Sequence, residues 1–231
     1  MKLQELKETD ETVTVEVPTR GLLFDMDGVL ISSIGSVIRC WRRWCAHYNI
    51  PNADTYEIPH GHRAIEIVRL LRPDIDEEEG LRLIEDLELE DTADLRVLPG
   101  VRELLESLPP ERWAIVTSAT RRLLLGRLKV AGLPVPERVV TAESVTHGKP
   151  APDPYLLGAE VLGLQPADCI VLEDAPAGVS AGVAAGCRVL GVIGTHSAEE
   201  LSGTTWITPS LETVRATVEE HQLRLRFSAL R

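Results

Sequence analysis

Val13, Val15 and Val17 alternate with polar residues, the period of a half-exposed strand. Pro18 to Gly21 predicts a turn. The apolar run Leu22-Leu23-Phe24 then reads as a buried strand that stops at two acids, Asp25 and Asp27, with Gly28 behind them. From Ile31 to about Asp94 the strand pattern disappears. Ile34 to Tyr48 has helical spacing, with Val37, Trp41, Trp44 and Cys45 on one side. Residues 60–72 predict a second helix with Ile65, Val68 and Leu71 apolar. Asp76 to Glu88 predicts a third, with Leu81, Ile84 and Leu87 inward and Glu77 to Glu79 solvated. Then the pattern switches again. Pro99-Gly100 starts a helix carrying Val101, Leu104, Leu105 and Leu108, which Pro109-Pro110 stops. Apolar strands at 113–116, 138–141, 169–172 and 188–193 alternate with helices, among them 154–162 and 178–185. Trp206 and Ile207 predict a short edge strand, and the chain from Leu211 a terminal helix.

Short apolar strands alternating with helices predict a parallel sheet covered on both faces. The fold class expected is therefore α/β, a Rossmann-like doubly wound parallel sheet with an inserted helical cap. Residues 1–31 and 95–231 would form the core and residues 32–94 the cap. A chain of 231 residues with 44% hydrophobic content is large enough for that arrangement. The net charge of −12 disfavours non-specific binding to nucleic acid or anionic membranes. It does not exclude an anionic substrate held by a local basic pocket. Cys40, Cys45, Cys169 and Cys187 show no CxxC spacing and predict reduced thiols rather than a zinc site. The start of the chain is too polar for a signal peptide, and no apolar run approaches the roughly 20 residues of a membrane span. A cytoplasmic monomer is the expectation.

The candidate chemistry lies where the predicted strands end. The first strand ends in Asp25 and Asp27, the second in Thr117 and Ser118. Lys149 follows the third, and the fourth ends in Glu173 and Asp174. In an open parallel sheet ligands bind at the carboxyl edge of the strands. Three crowded carboxylates repel one another unless a divalent cation offsets them, and hard oxygen ligands favour Mg²⁺. A lysine, a hydroxyl and backbone N–H groups beside them suit phosphoryl transfer. One Asp would attack phosphorus, and the other would protonate the leaving oxygen and then activate water.

The stretches LLFDMDGVL, AIVTS, GKPAPDPY and VLEDAPAGVSAG, in that order over about residues 20–195, resemble the motifs of the haloacid dehalogenase-like phosphohydrolases. That resemblance implies that Asp25 is the nucleophile and that Asp27 is the general acid/base, which also offers its carbonyl to the metal. Thr117 and Ser118 would bind the phosphoryl group, Lys149 would orient Asp25, and Asp174 with Glu173 would hold Mg²⁺. An insertion directly after the first motif is similar to the helical cap subclass, whose cap closes over the site and selects the leaving group. Ser32-Ser33 departs from the Asp-Ser often found there. Asp27 favours phosphate-ester chemistry, because haloalkanoate dehalogenases lack an acid at that position.

The substrate expected is a small phosphorylated metabolite. His60-Gly61-His62-Arg63 is predicted to open the second cap helix, so His60, Arg63 and Gly28 join Ser118 as substrate-binding candidates. The sequence resembles sugar-phosphate and glycerol-phosphate phosphatases of the 2-deoxyglucose-6-phosphatase type. It is also similar to β-phosphoglucomutases and phosphoglycolate phosphatases. A catalytically silent phosphate-binding protein is the alternative of another class. Arg121 and Arg122 are expected on a surface helix rather than on phosphate.

Overall fold

A computed structural model describes residues 11–231. Residues 1–10 of the charged start lie outside the described residues. In chain order come β1 (Thr12–Thr19), β2 (Gly21–Phe24) and β3 (Ile31–Ser32), then the helices α1 (Ile34–His47), α2 (Ala64–Leu71) and α3 (Glu77–Glu90). After them β4 (Arg96–Val97), α4 (Val101–Ser107), β5 (Trp113–Val116), α5 (Arg121–Ala131), β6 (Val139–Val140) and α6 (Asp153–Val161) alternate. The chain finishes with β7 (Cys169–Glu173), α7 (Pro176–Ala184), β8 (Arg188–Val192), β9 (Trp206–Thr208), β10 (Arg215–Val218) and β11 (Leu223–Leu230).

Six parallel strands form the main sheet in the order β6-β5-β2-β7-β8-β9. β2 lies at its centre because the chain first builds outward on one side, through β5 and β6, and then returns to the other with β7. That reversal is a topological switch point, where adjacent loops diverge and leave a crevice at the carboxyl edge. Every residue of β2, β5 and β7 is buried. Helices cover both faces, so these strands have no polar alternation. Trp113 meets Phe24 edge-on at 6.0 Å between ring centroids.

The helices α1–α3 have their own apolar cluster of Cys40, Trp41, Trp44, Cys45, Ile67, Val68, Ile84 and Leu87. The indole Nε1 of Trp44 donates to Gly80 O at 2.9 Å, so its buried polar end is satisfied. The two crossings to the core run side by side as β3 and β4, with Ile31 opposite Val97 and Ser32 opposite Arg96. Asp76 caps α3 by accepting from the N–H groups of Glu78 and Glu79. The second cap helix starts at Ala64 rather than at residue 60, with Arg63 at its N-cap. Gly61 has φ +82°, a left-handed conformation that interrupts a helix.

The chain beyond Leu211 is not helical. After one short turn it forms β10 and β11, which pair with β1 in a second, antiparallel sheet. β1 runs against β11 over its whole length, from Thr12 opposite Leu230 to Thr19 opposite Leu223. Pro18 and Thr19 thus belong to β1, and the turn before β2 is confined to Arg20. In LRLRFSAL the residues Leu223, Leu225, Phe227 and Ala229 are buried while Arg224 and Arg226 are exposed, a period of two that a helix cannot satisfy. Phe227 is packed edge-on to Trp206 at 5.6 Å. Phe227→Ala is expected to cost about 3–5 kcal/mol of unfolding free energy, as for other buried aromatics. Urea titration reads this directly, and a loss below about 1 kcal/mol would show that the second sheet is not part of the core.

Candidate active site

The carboxyl ends of β2, β5 and β7 deliver Asp25, Thr117 and the pair Glu173–Asp174. The sheet ladder continues one step past β2 and β5: Asp25 N donates to Leu172 O at 3.0 Å and Thr117 N to Val140 O at 2.9 Å. These backbone bonds fix where the two side chains emerge. Lys149 enters from the loop before α6. Asp25, Thr117, Lys149, Glu173 and Asp174 are all buried.

Lys149 is the hub. Its ammonium has three protons, and three acceptors receive them: Asp25 Oδ1 at 2.8 Å, Glu173 Oε1 at 2.6 Å and Val116 O at 3.1 Å. Burial alone would lower the Lys149 pKa, but Asp25 and Glu173 outweigh it and raise it. The Tyr155 ring lies 5.0 Å from Nζ and its hydroxyl donates to Glu173 Oε1 at 2.7 Å. Glu173 Oε2 accepts from the N–H groups of Asp174 and Ala175 at 3.0 and 3.2 Å. All four acceptor positions of Glu173 are thereby occupied by protein donors. These bonds tie it to Lys149 and to the turn after β7, while one of its oxygens stays within reach of those of Asp25 and Asp174.

Asp25, Glu173 and Asp174 bring carboxylate oxygens within 4.8 Å of one another. One ammonium does not offset three buried carboxylates. Burial pushes the Asp25 carboxyl up to about 7, against the pull of Lys149 and helped by Glu173. Burial, then Glu173 and Asp25, also raise Asp174 well above the usual range, although the Thr195 hydroxyl donates to its Oδ2. Asp25 Oδ2 and Asp174 Oδ1 have no protein donor among the described residues. A divalent cation fits this donor set: two hard oxygens, a surplus of negative charge, and room. The room depends on Gly28, which has φ +82° and whose Cβ would sit 1.8 Å from Asp174 Oδ2. Likewise a Cβ on Gly178 would lie 1.7 Å from Glu173 Oε1, so α7 can start against the acids only with glycine there.

Asp27 stands beside this cluster and is held from two sides. Ser33 Oγ donates to its Oδ1 at 2.6 Å, and Arg127 Nη1 to its Oδ2 at 2.5 Å. Arg127 is itself buried in α5 and donates through Nη2 to Glu88 Oε2 at 2.8 Å, a residue of the cap helix α3.

One cavity joins these groups. Asp25, Asp27, Gly28, Thr117, Ser118 and Asp174 form its floor, and residues 58–62 with Ile34, Val37, Trp41, Ile67 and Glu88 form its cap side. Ser118 lines it but donates its hydroxyl to Gly61 O in the cap at 2.7 Å. His60 lines it too, edge-on to His196 at 5.7 Å, and burial followed by His196 lowers its pKa. Arg63 is not among the lining residues. Its guanidinium is engaged by Glu66 Oε1 and by the carbonyls of Val145 and Thr146, at 2.6, 3.2 and 3.0 Å respectively. These bonds tie the start of α2 to the loop that follows β6. Arg122, on α5 as expected, pairs with Glu85 and Asp86 of the cap.

Sequence reasoning passed over Tyr155, Thr195, His196, Glu88 and Arg127. Thr195 and His196 follow β8, so the same strand-end rule extended by one strand finds them. Arg127 sits on the apolar stripe of Leu123, Leu124, Leu128 and Ala131, and a lone arginine on a buried face is itself a signal.

The family profile described as haloacid dehalogenase-like hydrolase matches residues 22–192. Hexitol phosphatase A of Escherichia coli is 40% identical over 86% of this chain and 94% of its own length. Glycerol-1-phosphate phosphohydrolase 1 of Saccharomyces cerevisiae is 32% identical over 82% of this chain and 81% of its own. A solved hydrolase from Pseudomonas syringae superposes with a TM-score of 0.74 at 26% identity, covering 84% of this chain and 94% of that one. Among the described residues no helix is long and apolar enough to cross a membrane.

Proposed function

The chain belongs to the haloacid dehalogenase-like hydrolases and is a phosphoric monoester hydrolase, and from that premise we propose a Mg²⁺-dependent phosphatase of small sugar or polyol phosphates that works through an aspartyl-phosphate. The observation that carries the mechanism is Asp25, buried, with one oxygen on Lys149 at 2.8 Å and the other open to the cavity. The names of the two relatives, a hexitol and a glycerol-1-phosphate phosphatase, support the substrate class.

A carboxylate oxygen of Asp25 attacks phosphorus in line with the ester oxygen, whose bond to phosphorus breaks. Asp27 gives that oxygen its proton. The alcohol leaves, and Asp27 then takes a proton from water as the water attacks the phosphoryl group on Asp25. Phosphate departs and Asp25 is restored. Thr117 and the N–H groups that follow β2 and β5 hold the phosphoryl oxygens. Lys149 fixes the rotamer of Asp25 and keeps it ionised. Mg²⁺ held by Asp25, Asp174 and the Asp27 carbonyl would supply charge neutralisation for the nucleophile and the transferring oxygens.

Phosphate release from a panel of phosphorylated metabolites with Mg²⁺ tests the proposal, and no release from any ester would end it. Asp27→Asn is expected to slow alkyl phosphates by about 10²-fold or more, the scale of general acid–base contributions. An activated aryl ester, whose leaving group needs no proton, should lose less. Equal losses for both would remove Asp27 from the proton-transfer step.

The acid cluster also predicts how stability depends on pH. Asp25 and Asp174 have folded-state pKa values raised above those of the unfolded chain, Asp25 to about 7. Their contribution is fully present below the unfolded values and is lost as pH rises through the folded ones. Metal-free protein should therefore melt at a higher temperature near pH 5.5 than at about pH 8. Added Mg²⁺ should raise the melting temperature more at about pH 8, where it replaces protons. A melting temperature indifferent to Mg²⁺ at the higher pH would count against the metal site.

A further inference from the structure

We propose that Glu88 and Arg127 form a hydroxyl-recognition point at the leaving-group end of the cavity, which selects phosphomonoesters of neutral polyhydroxy compounds and rejects leaving groups that carry a second anion. The proposal rests on the phosphatase reading above and narrows its substrate class.

Glu88 comes from the cap and Arg127 from the core, and both line the cavity. Their relative position is fixed where α3 and α5 touch. A Cβ on Gly126, the residue before Arg127, would lie 2.2 Å from Leu89 Cδ2, the residue after Glu88. Glu88 uses Oε2 on Arg127 at 2.8 Å, and its Oε1 has no protein donor among the described residues. A guanidinium carries five N–H donors, and those of Arg127 toward Asp27 and Glu88 leave others. An acceptor thus stands beside a donor. A hydroxyl, which donates and accepts at once, matches that pair, whereas an anion can only accept.

A second phosphate or a carboxylate on the leaving group would need a cation that is not already neutralised. Arg127 lies between Asp27 and Glu88. Burial pushes the Glu88 carboxyl up to about 7 against the pull of Arg127. Both ends of the Arg127 guanidinium are thus engaged by carboxylates, which leaves it no unpaired charge to offer a second anion. Lys149 is held by Asp25 and Glu173, and Arg63 is turned away to Glu66 and backbone carbonyls. The rest of the cap side is largely apolar, through Ile34, Val37, Trp41, Ile58 and Ile67. That wall accepts the carbon face of a polyol; of the two imidazoles beside it, His60 and His62, burial lowers the pKa of His60 and so disfavours its charged form.

The test is kcat/KM with Mg²⁺ on matched esters: glycerol 1-phosphate and sorbitol 6-phosphate against phosphoglycolate and fructose 1,6-bisphosphate. The wild type is expected to favour the neutral pair by about 10²-fold or more, since like charges brought together are strongly disfavoured. Glu88→Gln keeps the shape and removes the charge, and should narrow that preference by about tenfold. If that variant fails to fold, the wild-type ratio still decides. Equal efficiency on charged and neutral esters overturns the proposal and leaves the phosphatase reading standing. A folded Glu88→Gln enzyme with an unchanged ratio overturns it as well. Absence of turnover on all four esters and on p-nitrophenyl phosphate removes both.

Discussion

Asp25→Asn is expected to abolish turnover of every phosphate ester and to leave the fold intact. The carboxamide oxygen can still accept from Lys149 as Oδ1 does now at 2.8 Å, so the hub of the site persists. What disappears is the nucleophile, because an amide does not form a covalent bond to phosphorus. Removing a group on which a covalent route depends costs about 10⁴-fold or more in kcat. Stability should move the other way. Burial raises the Asp25 carboxyl to about 7, so its ionised form is held at a cost that a neutral amide does not have. The metal-free variant is therefore expected to melt above the wild type at about pH 8, with the difference shrinking toward pH 5. Phosphate release and a thermal melt across that range check both halves. Wild-type turnover in the folded variant would overturn the mechanism.

How much of this was legible in the chain differs by kind of residue. The strands Leu22–Phe24, Trp113–Val116 and Cys169–Leu172 stood out because both faces of a parallel sheet are covered, which leaves an uninterrupted apolar run. The residues just past them, Asp25, Thr117 and Glu173–Asp174, then follow from the chain direction alone. The C-terminal strands were legible only in part. Residues 223–230 alternate plainly, but what makes them a strand is β1, some two hundred positions earlier in the chain. Local periodicity carries no information about such a partner.

Within the site, adjacency hid function. Glu173 and Asp174 are neighbours with the same chemistry, and the sequence cannot tell which of them is saturated by donors. The structure separates them: Glu173 is filled by Lys149, Tyr155 and two N–H groups, whereas Asp174 keeps an oxygen free of protein donors among the described residues. Arg63 is the opposite case. A basic residue at a helix start reads as an anion contact, yet tertiary packing gives it Glu66 and carbonyls from the far side of the cleft. Arg127 and Glu88 lie on different helices and acquire a joint role only when the cap is docked.

Lys149→Met is expected to have the second large effect, and it acts on stability and rate together. The ammonium is 1% exposed and is the cation between Asp25 and Glu173. Methionine fills similar volume but leaves both carboxylates buried without a partner, and breaking a buried pair in this way costs about 3–5 kcal/mol. The two acids also repel each other directly once the charge between them is gone. Protonation relieves both effects, so the penalty should be largest at about pH 8 and shrink toward pH 5. Turnover should fall by about 10³-fold or more at neutral pH, since Asp25 would lose the neighbour that keeps it ionised and oriented. Added Mg²⁺ should recover part of the stability, because it offsets the same carboxylate charge, but little of the rate, because it does not hold Oδ1 in place. Urea unfolding at two pH values with and without Mg²⁺, beside single-turnover assays, separates these contributions. A variant as stable as the wild type at about pH 8 without metal would mean that Asp25 and Glu173 are not held in the protein as a charged pair around Lys149.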